Sequence, residues 1–122
     1  MKTTVVIGAS ENTDRFSNRA VRMLHYNHIP VVAIGLKEGD IRGVKIQTGF
    51  PEVENVDTVT LYVGPKHQPP YYDYIIALKP ERIIFNPGTE NPELELKAQK
   101  AGIEILEACT LTMLSVGTYR MK

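Results

Sequence analysis

The stretch that most constrains the fold is Val5-Val6-Ile7-Gly8, a β-branched apolar run that ends on glycine with no polar alternation. A strand that is apolar at every position is buried on both faces, the situation of a central strand in a parallel sheet. Parallel neighbours need a crossover connection, and the following residues supply one. Beyond a polar loop, Gly8 to Asp14, the residues Phe16, Ala20, Met23, Leu24 and Asn27 fall on one side of a helix and Arg15, Arg19 and Arg22 on another. Thr13 or Asp14 is the expected N-cap. The next apolar run, Pro30-Val31-Val32-Ala33-Ile34-Gly35-Leu36, is a second buried strand, so the chain opens with a βαβ unit of right-handed crossover.

The remainder extends this pattern. Lys37 to Gly43 reads as a polar loop leading to a short extended piece, Val44-Lys45-Ile46. Thr58 to Val63 is a strand that stops at Gly64-Pro65, and Pro70 to Leu78 has helical spacing behind two prolines that suit a helix start. Arg82-Ile83-Ile84-Phe85 is a strand, Pro92 to Ala101 an amphipathic helix stopped by Gly102, and Ile103 to Leu106 a last strand. Leu111 to Leu114 reads as a short helix docking back onto the sheet. The order β-α-β-β-β-α-β-α-β predicts a single α/β domain over residues 1–122, a Rossmann-like open, mostly parallel sheet flanked by helices.

Size and charge narrow the function. A chain of 122 residues supports one core, not a cofactor domain and a separate catalytic domain together. Its 14 basic groups are balanced by 14 acidic ones, so the broad positive field that nucleic-acid binding needs is missing. No run approaches the roughly 20 apolar residues of a membrane span, and the apolar stretch near Met1 is too short for a signal peptide. The single cysteine, Cys109, cannot close an internal disulfide. Together these features predict a soluble, cytoplasmic protein with neither nucleic acid nor membrane as partner. The uncovered edge strands of so small a sheet leave room for homo-oligomerisation.

In open α/β sheets ligands bind beyond the carboxyl ends of the strands. The first such loop, Gly8-Ala9-Ser10-Glu11-Asn12-Thr13-Asp14-Arg15, keeps only the first glycine of a dinucleotide fingerprint, with Ser10 and Thr13 where the others would stand. Serine still allows backbone N–H groups to face a phosphate and adds a hydroxyl, while the helix contributes its positive end. Arg15 at that end opposes the helix dipole unless an anion lies between them. The competing account makes Gly8-Ala9-Ser10 a mere tight turn and Arg15 a solvated side chain. Arg19 and Arg22 lie further from the helix end and read as surface charges. After the second strand an NAD site would carry an acid for the ribose hydroxyls, but here Lys37 precedes Glu38. A cation there suits an adenosine ligand with an additional ribose phosphate, as in coenzyme A or NADP; an ordinary exposed lysine is the alternative. Asn86-Pro87-Gly88-Thr89-Glu90-Asn91 pairs a rigid turn with polar side chains and fits either a pocket floor or a turn before an Asn91 helix cap.

Candidates for chemistry are few. His25, His28 and His67 lack metal-ligand spacing, and the first two suit the negative end of the first helix. Cys109 has no histidine placed beside it by sequence and reads as a small buried thiol. Glu90, Glu93 and Glu95 complement a helix start. Tyr71, Tyr72 and Tyr74 read as core and surface residues of one helix, not as a stacking platform. The residues thus offer neither a catalytic nor a metal-ligating set.

Four stretches, in order over nearly the whole chain, carry a resemblance: Val6-Ile7-Gly8-Ala9-Ser10 with Arg15, Ser17 and Val21; Ile34-Gly35-Leu36-Lys37 with Gly43; Asn86-Pro87-Gly88; and Ala101-Gly102-Ile103 leading to Cys109. The sequence resembles the small stand-alone CoA-binding proteins and is similar to the N-terminal CoA-binding domain of the succinyl-CoA synthetase alpha subunit. The resemblance implies coenzyme A or an acyl-CoA laid over the strand ends of a Rossmann-like fold. Gly8, Ala9, Ser10 and Arg15 would lie near its phosphates, Lys37 near the ribose phosphate, and Tyr62, Val63 and Gly64 near the adenine, with Ser17, Asn86, Pro87 and Gly88 completing the candidate site. It also implies a binding module without catalysis of its own, because the phosphorylated histidine of the related ligases lies in a different domain. The chain departs from the family where Gly35-Leu36 replaces the common Asn-Pro and where Thr110, not proline, follows Cys109. Its tail, Leu111 to Lys122, is longer than expected, which suggests a cover for the pocket or a subunit contact. Two rival functions remain: a small NADP-binding oxidoreductase or sensor, and a protein-interaction subunit with an empty nucleotide pocket.

Overall fold

The computed structural model describes residues 2–120. In chain order the elements are β1 (Thr3–Ile7), α1 (Phe16–Tyr26), β2 (Val31–Ile34), β3 (Gly39–Ile41), β4 (Val44–Gln47), β5 (Val56–Leu61), α2 (Tyr72–Leu78), β6 (Arg82–Phe85), α3 (Pro92–Lys100), β7 (Glu104–Glu107) and α4 (Thr110–Val116). Seven strands form one sheet in the order β3-β4-β2-β1-β5-β6-β7. Every pairing is parallel except β3 with β4. The chain builds outward from β1 through β2 and β4, then returns to lay β5 on the other side of β1. That reversal is the topological switch point at which α/β sheets open a crevice.

Strand periodicity assigns the core to two layers. Val5 and Ile7 face the layer that contains Ile75 of α2 and Leu94 of α3. Val6 faces the opposite layer, with Val21 and Leu24 of α1 and, from α4, Met113 and Leu114. The single-domain, Rossmann-like α/β architecture expected from the sequence is the one observed.

Local departures have local causes. The stretch read as a loop from Lys37 holds β3, which forms a hairpin with β4 around Arg42 and Gly43, both at positive φ of 51° and 93°. Two such residues in succession favour the tight turn that joins twisted antiparallel strands. Gly39 and Asp40 have low strand propensity, so only their partner strand reveals them. α1 is preceded by Arg15 as N-cap, not by Thr13 or Asp14, and no side chain caps it. The Asp14 N–H instead donates to Asn12 Oδ1 (2.9 Å) and the Arg15 N–H to the Asn12 carbonyl (3.0 Å), which spends these residues in a turn. α2 begins at Tyr72 because Pro65–His67 and Pro69–Tyr71 each make a 3-10 turn first.

As far as Arg120 the tail does not cover the pocket side of the sheet; residues 121 and 122 of the expected cover lie outside the described residues. After α4, which lies against α1, Tyr119 is buried near the amino ends of the strands, where its hydroxyl pairs with Thr4 at 2.5 Å. The buried Arg82 guanidinium lies 4.6 Å from the centre of the Tyr119 ring and donates to the Tyr119 carbonyl (2.6 Å) and to Thr58 Oγ1 (2.8 Å). Among the described residues no helix is long and apolar enough to cross a membrane.

Candidate functional site

Three strand ends meet so closely that two glycines are required. Gly8 sits at φ +103°, and a Cβ there would lie 2.8 Å from the Tyr62 carbonyl oxygen; a Cβ on Gly35 would lie 2.3 Å from the Ala9 carbonyl oxygen. The Gly8 and Ala9 N–H groups donate to the Ile34 carbonyl at 2.8 and 2.9 Å. These two amides are therefore spent inside the protein, and other N–H groups of the loop are the ones free to face a phosphate. At the start of α1 the Asn18 and Arg19 N–H groups already donate to the Arg15 carbonyl, which leaves those of Phe16 and Ser17 among the donors available at this loop.

Ser10 is fixed by residues the sequence did not single out. Its Oγ accepts from the Asn12 N–H (3.1 Å), which leaves its own O–H to donate outward. Its carbonyl accepts from Asn18 Nδ2 (2.9 Å), and Asn18 Oδ1 accepts from Arg22 Nε (2.7 Å). Arg22 is thus a brace for the loop and not a free surface charge, because the helix repeat sets it one turn beyond Asn18.

Two adjoining pockets open over this junction. The first encloses about 640 Å³ and is lined by Gly8 to Asn12, Arg15, Gly35 to Glu38, Tyr62 to Gly64, His67 and Tyr71. The second, about 380 Å³, lies between Asp14 to Ser17 and Pro87 to Thr89 and shares Arg15, Tyr62 and Gly64 with the first. Between them they collect Gly8, Ala9, Ser10, Arg15, Ser17, Lys37, Tyr62, Val63, Gly64, Pro87 and Gly88. Asn86 is the exception. It is buried below the pockets, donating from Nδ2 to Thr60 Oγ1 (2.7 Å) and the Leu61 carbonyl (2.8 Å) while Oδ1 accepts from the Thr110 N–H (2.8 Å). An amide with three internal partners at the end of a central strand braces β5, β6 and α4, and it has no face toward a ligand.

The pocket walls rest on a second buried network. Gln68 Nε2 donates to the Val63 carbonyl (2.8 Å) and the Thr89 carbonyl (2.7 Å), and its Oε1 accepts from Asn91 Nδ2 (2.8 Å). This one side chain joins the loop after β5 to the loop after β6. Tyr71, expected to belong to helix packing alone, lines the first pocket and meets Phe50 edge-on at 5.6 Å. Leu36 stands on the opposite rim with 93% of its surface exposed.

The charges of the first pocket are Arg15 and Lys37 against Glu11 and Glu38. Glu11 is turned to structural use: its Oε2 accepts from the Asp40 N–H of β3 at 2.9 Å. Two buried side-chain oxygens among the described residues have no hydrogen-bond partner, Ser17 Oγ and Tyr62 OH. Burial drives the Tyr62 phenol well above its ordinary pKa, the neighbouring Cys109 adds to this, and the Thr110 hydroxyl works the other way. For Cys109, burial raises the thiol pKa, but hydrogen bonding from the Thr112 side chain and from the Thr112 and Leu111 amides outweighs it and the net shift is downward. Among the described residues no three His, Cys, Asp or Glu side chains gather as a metal site.

A parallel sheet with a switch point, a glycine-tightened first loop ahead of a helix start and cations at two successive strand ends define the class of Rossmann-like nucleotide-binding domains. Within that class the chain belongs to the CoA binding domain family, whose model matches residues 2–115. It is similar to a crystal structure described only as that of an uncharacterized protein, with 46% sequence identity over 97% of this chain and 98% of the other and a TM-score of 0.92. A Thermus thermophilus protein shares the fold at 21% identity and TM-score 0.83, over 96% of this chain and 90% of its own. So does a hypothetical protein from Pyrococcus horikoshii OT3, at 24% identity and TM-score 0.85, over 94% of this chain and 82% of its own. No curated protein matches the sequence significantly.

Proposed function

We propose that the chain binds coenzyme A or an acyl-CoA as a module without catalytic residues of its own, presenting the ligand to another protein. The observation that carries this reading is the placement of Arg15 and Lys37 on one continuous cleft, at the ends of β1 and β2, with a second pocket beyond Arg15. A ligand with a diphosphate and a separate ribose phosphate needs cations at two such points, and a long arm needs the additional room. Ser10, Arg15 and the first turn of α1 receive the diphosphate, Lys37 the ribose phosphate, and Val63, Gly64 and Tyr71 the base. Glu38, beside Lys37, also fits a ribose hydroxyl. Glu11, whose Oε2 is held by the Asp40 amide, keeps its negative charge on the pocket wall, so the cations Arg15 and Lys37 must outweigh it for phosphate to bind.

Thermal unfolding in the presence of CoA, dephospho-CoA, NAD and NADP tests the proposal. A ligand specific for the native state at 100 times its Kd adds about 2.7 kcal/mol. CoA gives the largest shift, dephospho-CoA a smaller one, and Lys37→Ala makes the two equal. A shift with NADP and none with CoA favours the NADP-binding alternative and sinks the CoA reading.

A further inference from the structure

The outward side of α1 carries a stripe that the chain leaves uncovered. Phe16, Arg19, Met23 and Tyr26 follow one another at intervals of three, four and three residues, which sets them along one line of the helix. Phe16 and Tyr26 are 65% and 82% exposed, and Val116, on the neighbouring α4, is 64% exposed. Three of the six large exposed apolar side chains thus lie on this one layer. Of the others, Leu36 lines the first pocket, Phe50 packs on Tyr71 of the same pocket, and Leu96 is a single residue on α3. Scattered apolar side chains need no explanation, but an aligned set on adjoining helices marks a contact surface.

We infer that α1 and α4 form the interface of a homodimer, in which α1 of one copy packs antiparallel on α1 of the second across a two-fold axis level with Val21. The stripe is symmetric about that level, so Phe16 meets Tyr26 of the second copy and Arg19 meets Met23, the self-complementary pairing that a two-fold interface requires. The charges agree with this register. Asp14 lies at the N-terminal end of α1, and the Arg120 guanidinium is held at the C-terminal end, where it donates to the Asn27 carbonyl (2.8 Å). Among the described residues neither makes an ion pair within its own chain. Antiparallel packing brings Asp14 of each copy to Arg120 of the other and sets the two helix dipoles in opposition. The remaining cations do not oppose it. Arg15 lines both pockets, and Arg22 is committed to Asn18. The two Arg19 positions are separated by about 6 Å of helix rise and by about 8–10 Å between axes, which together exceed a Debye length of about 8 Å. The sheet edges suit a second copy less well: β7 has Glu104 and Glu107 at its ends and β3 has only three residues, and charge and shortness both guard an edge against pairing. Asp14 and Phe16 also line the second pocket, so the second copy stands at its rim. The interface needs no ligand, and the inference is therefore independent of the CoA reading.

Sedimentation equilibrium of the ligand-free full chain, from about 1 to 200 μM, tests the inference. A monomer–dimer equilibrium with a Kd on the order of 10 μM is expected, as for an interface at the small end of the usual range. Tyr26→Glu, at an exposed position, weakens dimerisation about 30-fold, the scale of a lost aromatic anchor, whereas Leu96→Glu on α3 leaves it unchanged. Asp14→Arg and Arg120→Asp each weaken it about fivefold, and the two changes together restore it to within about twofold of the wild type. Circular dichroism checks that each variant keeps the fold. A wild-type chain that is monomeric throughout this range overturns the inference. So does a dimer that Tyr26→Glu leaves intact or Leu96→Glu disrupts, and so does a double charge reversal that dimerises no more tightly than the single ones. Thermal shifts with CoA are unaffected by any of these outcomes, so the two readings fail separately.

Discussion

At the scale of single residues, the junction of strand ends depends on an absent side chain more than on any present one. Gly35 has an ordinary φ, so backbone conformation does not require glycine there; space does, since a Cβ would meet the Ala9 carbonyl oxygen at 2.3 Å and Ile46 Cγ2 at 3.0 Å. Gly35→Ala must push the first loop away from β2 and strain the two bonds to the Ile34 carbonyl. The expected cost is about 2–3 kcal/mol in urea unfolding, together with weaker CoA binding, because the displaced backbone carries Ser10. Gly64→Ala is the contrast: it also lines both pockets, but its Cβ would meet nothing within 4 Å, and stability should change by less than about 0.5 kcal/mol. Equal losses for the two substitutions would show that the close approach is unimportant. The requirement for Gly8 was legible in the sequence, as a glycine closing an apolar strand before a helix. That for Gly35 was not, because the clashing atom belongs to a residue 26 positions earlier in the chain. The orphaned state of Ser17 and Tyr62 was equally hidden, since it depends on the commitments of every neighbour.

Elements are held in register around the site by a few polar side chains that act twice. Asn91 caps α3, its Oδ1 accepting from the Glu93 and Leu94 N–H groups at 3.1 and 3.4 Å. The same side chain donates to Gln68 Oε1 and to the Tyr72 hydroxyl, both at 2.8 Å. Removing it therefore costs more than a cap. Asn91→Ala should lose about 1 kcal/mol for the cap and roughly 1–3 kcal/mol more for the buried Gln68 carbonyl left without a donor. Urea unfolding measures the total; a loss confined to the value of a simple cap would show that Gln68 finds another partner. The sequence offered Asn91 as a cap because Asn before Pro and a run of acids is a local signal. Gln68 gave no such signal, because its partners lie in two other loops. The β3–β4 hairpin was missed for the same reason, since its anchor is Glu11, in the loop after β1.

The whole molecule divides its labour between the two ends of the sheet. The carboxyl ends of the strands hold both pockets and their unspent polar groups, whereas the opposite side closes over Arg82, Thr4 and Tyr119. The parallel sheet and the position of its crevice were legible, since apolar strands alternating with amphipathic helices admit few arrangements. The route of the tail was not, because Tyr119 is placed by a guanidinium whose burial no local pattern announces. Phenols buried at both ends make stability sensitive to alkali. Burial raises the Tyr119 pKa, only partly offset by Thr4, Thr58 and Arg82, and burial raises that of Tyr62. Below about pH 10 both phenols are protonated whether the chain is folded or not, and they add no pH dependence. Above that value the unfolded chain releases these protons while the native state keeps them, so it binds fewer protons and stability falls as pH rises. The lowered Cys109 thiol has the opposite sign and acts in a lower window, around the ordinary thiol value of about 8.5. Urea unfolding between about pH 10 and pH 11 should therefore show declining stability. Tyr62→Phe with Tyr119→Phe should flatten the decline, although the hydroxyl bond to Thr4 is lost with the second change. A slope in the double variant as steep as in the wild type would place the alkaline sensitivity elsewhere.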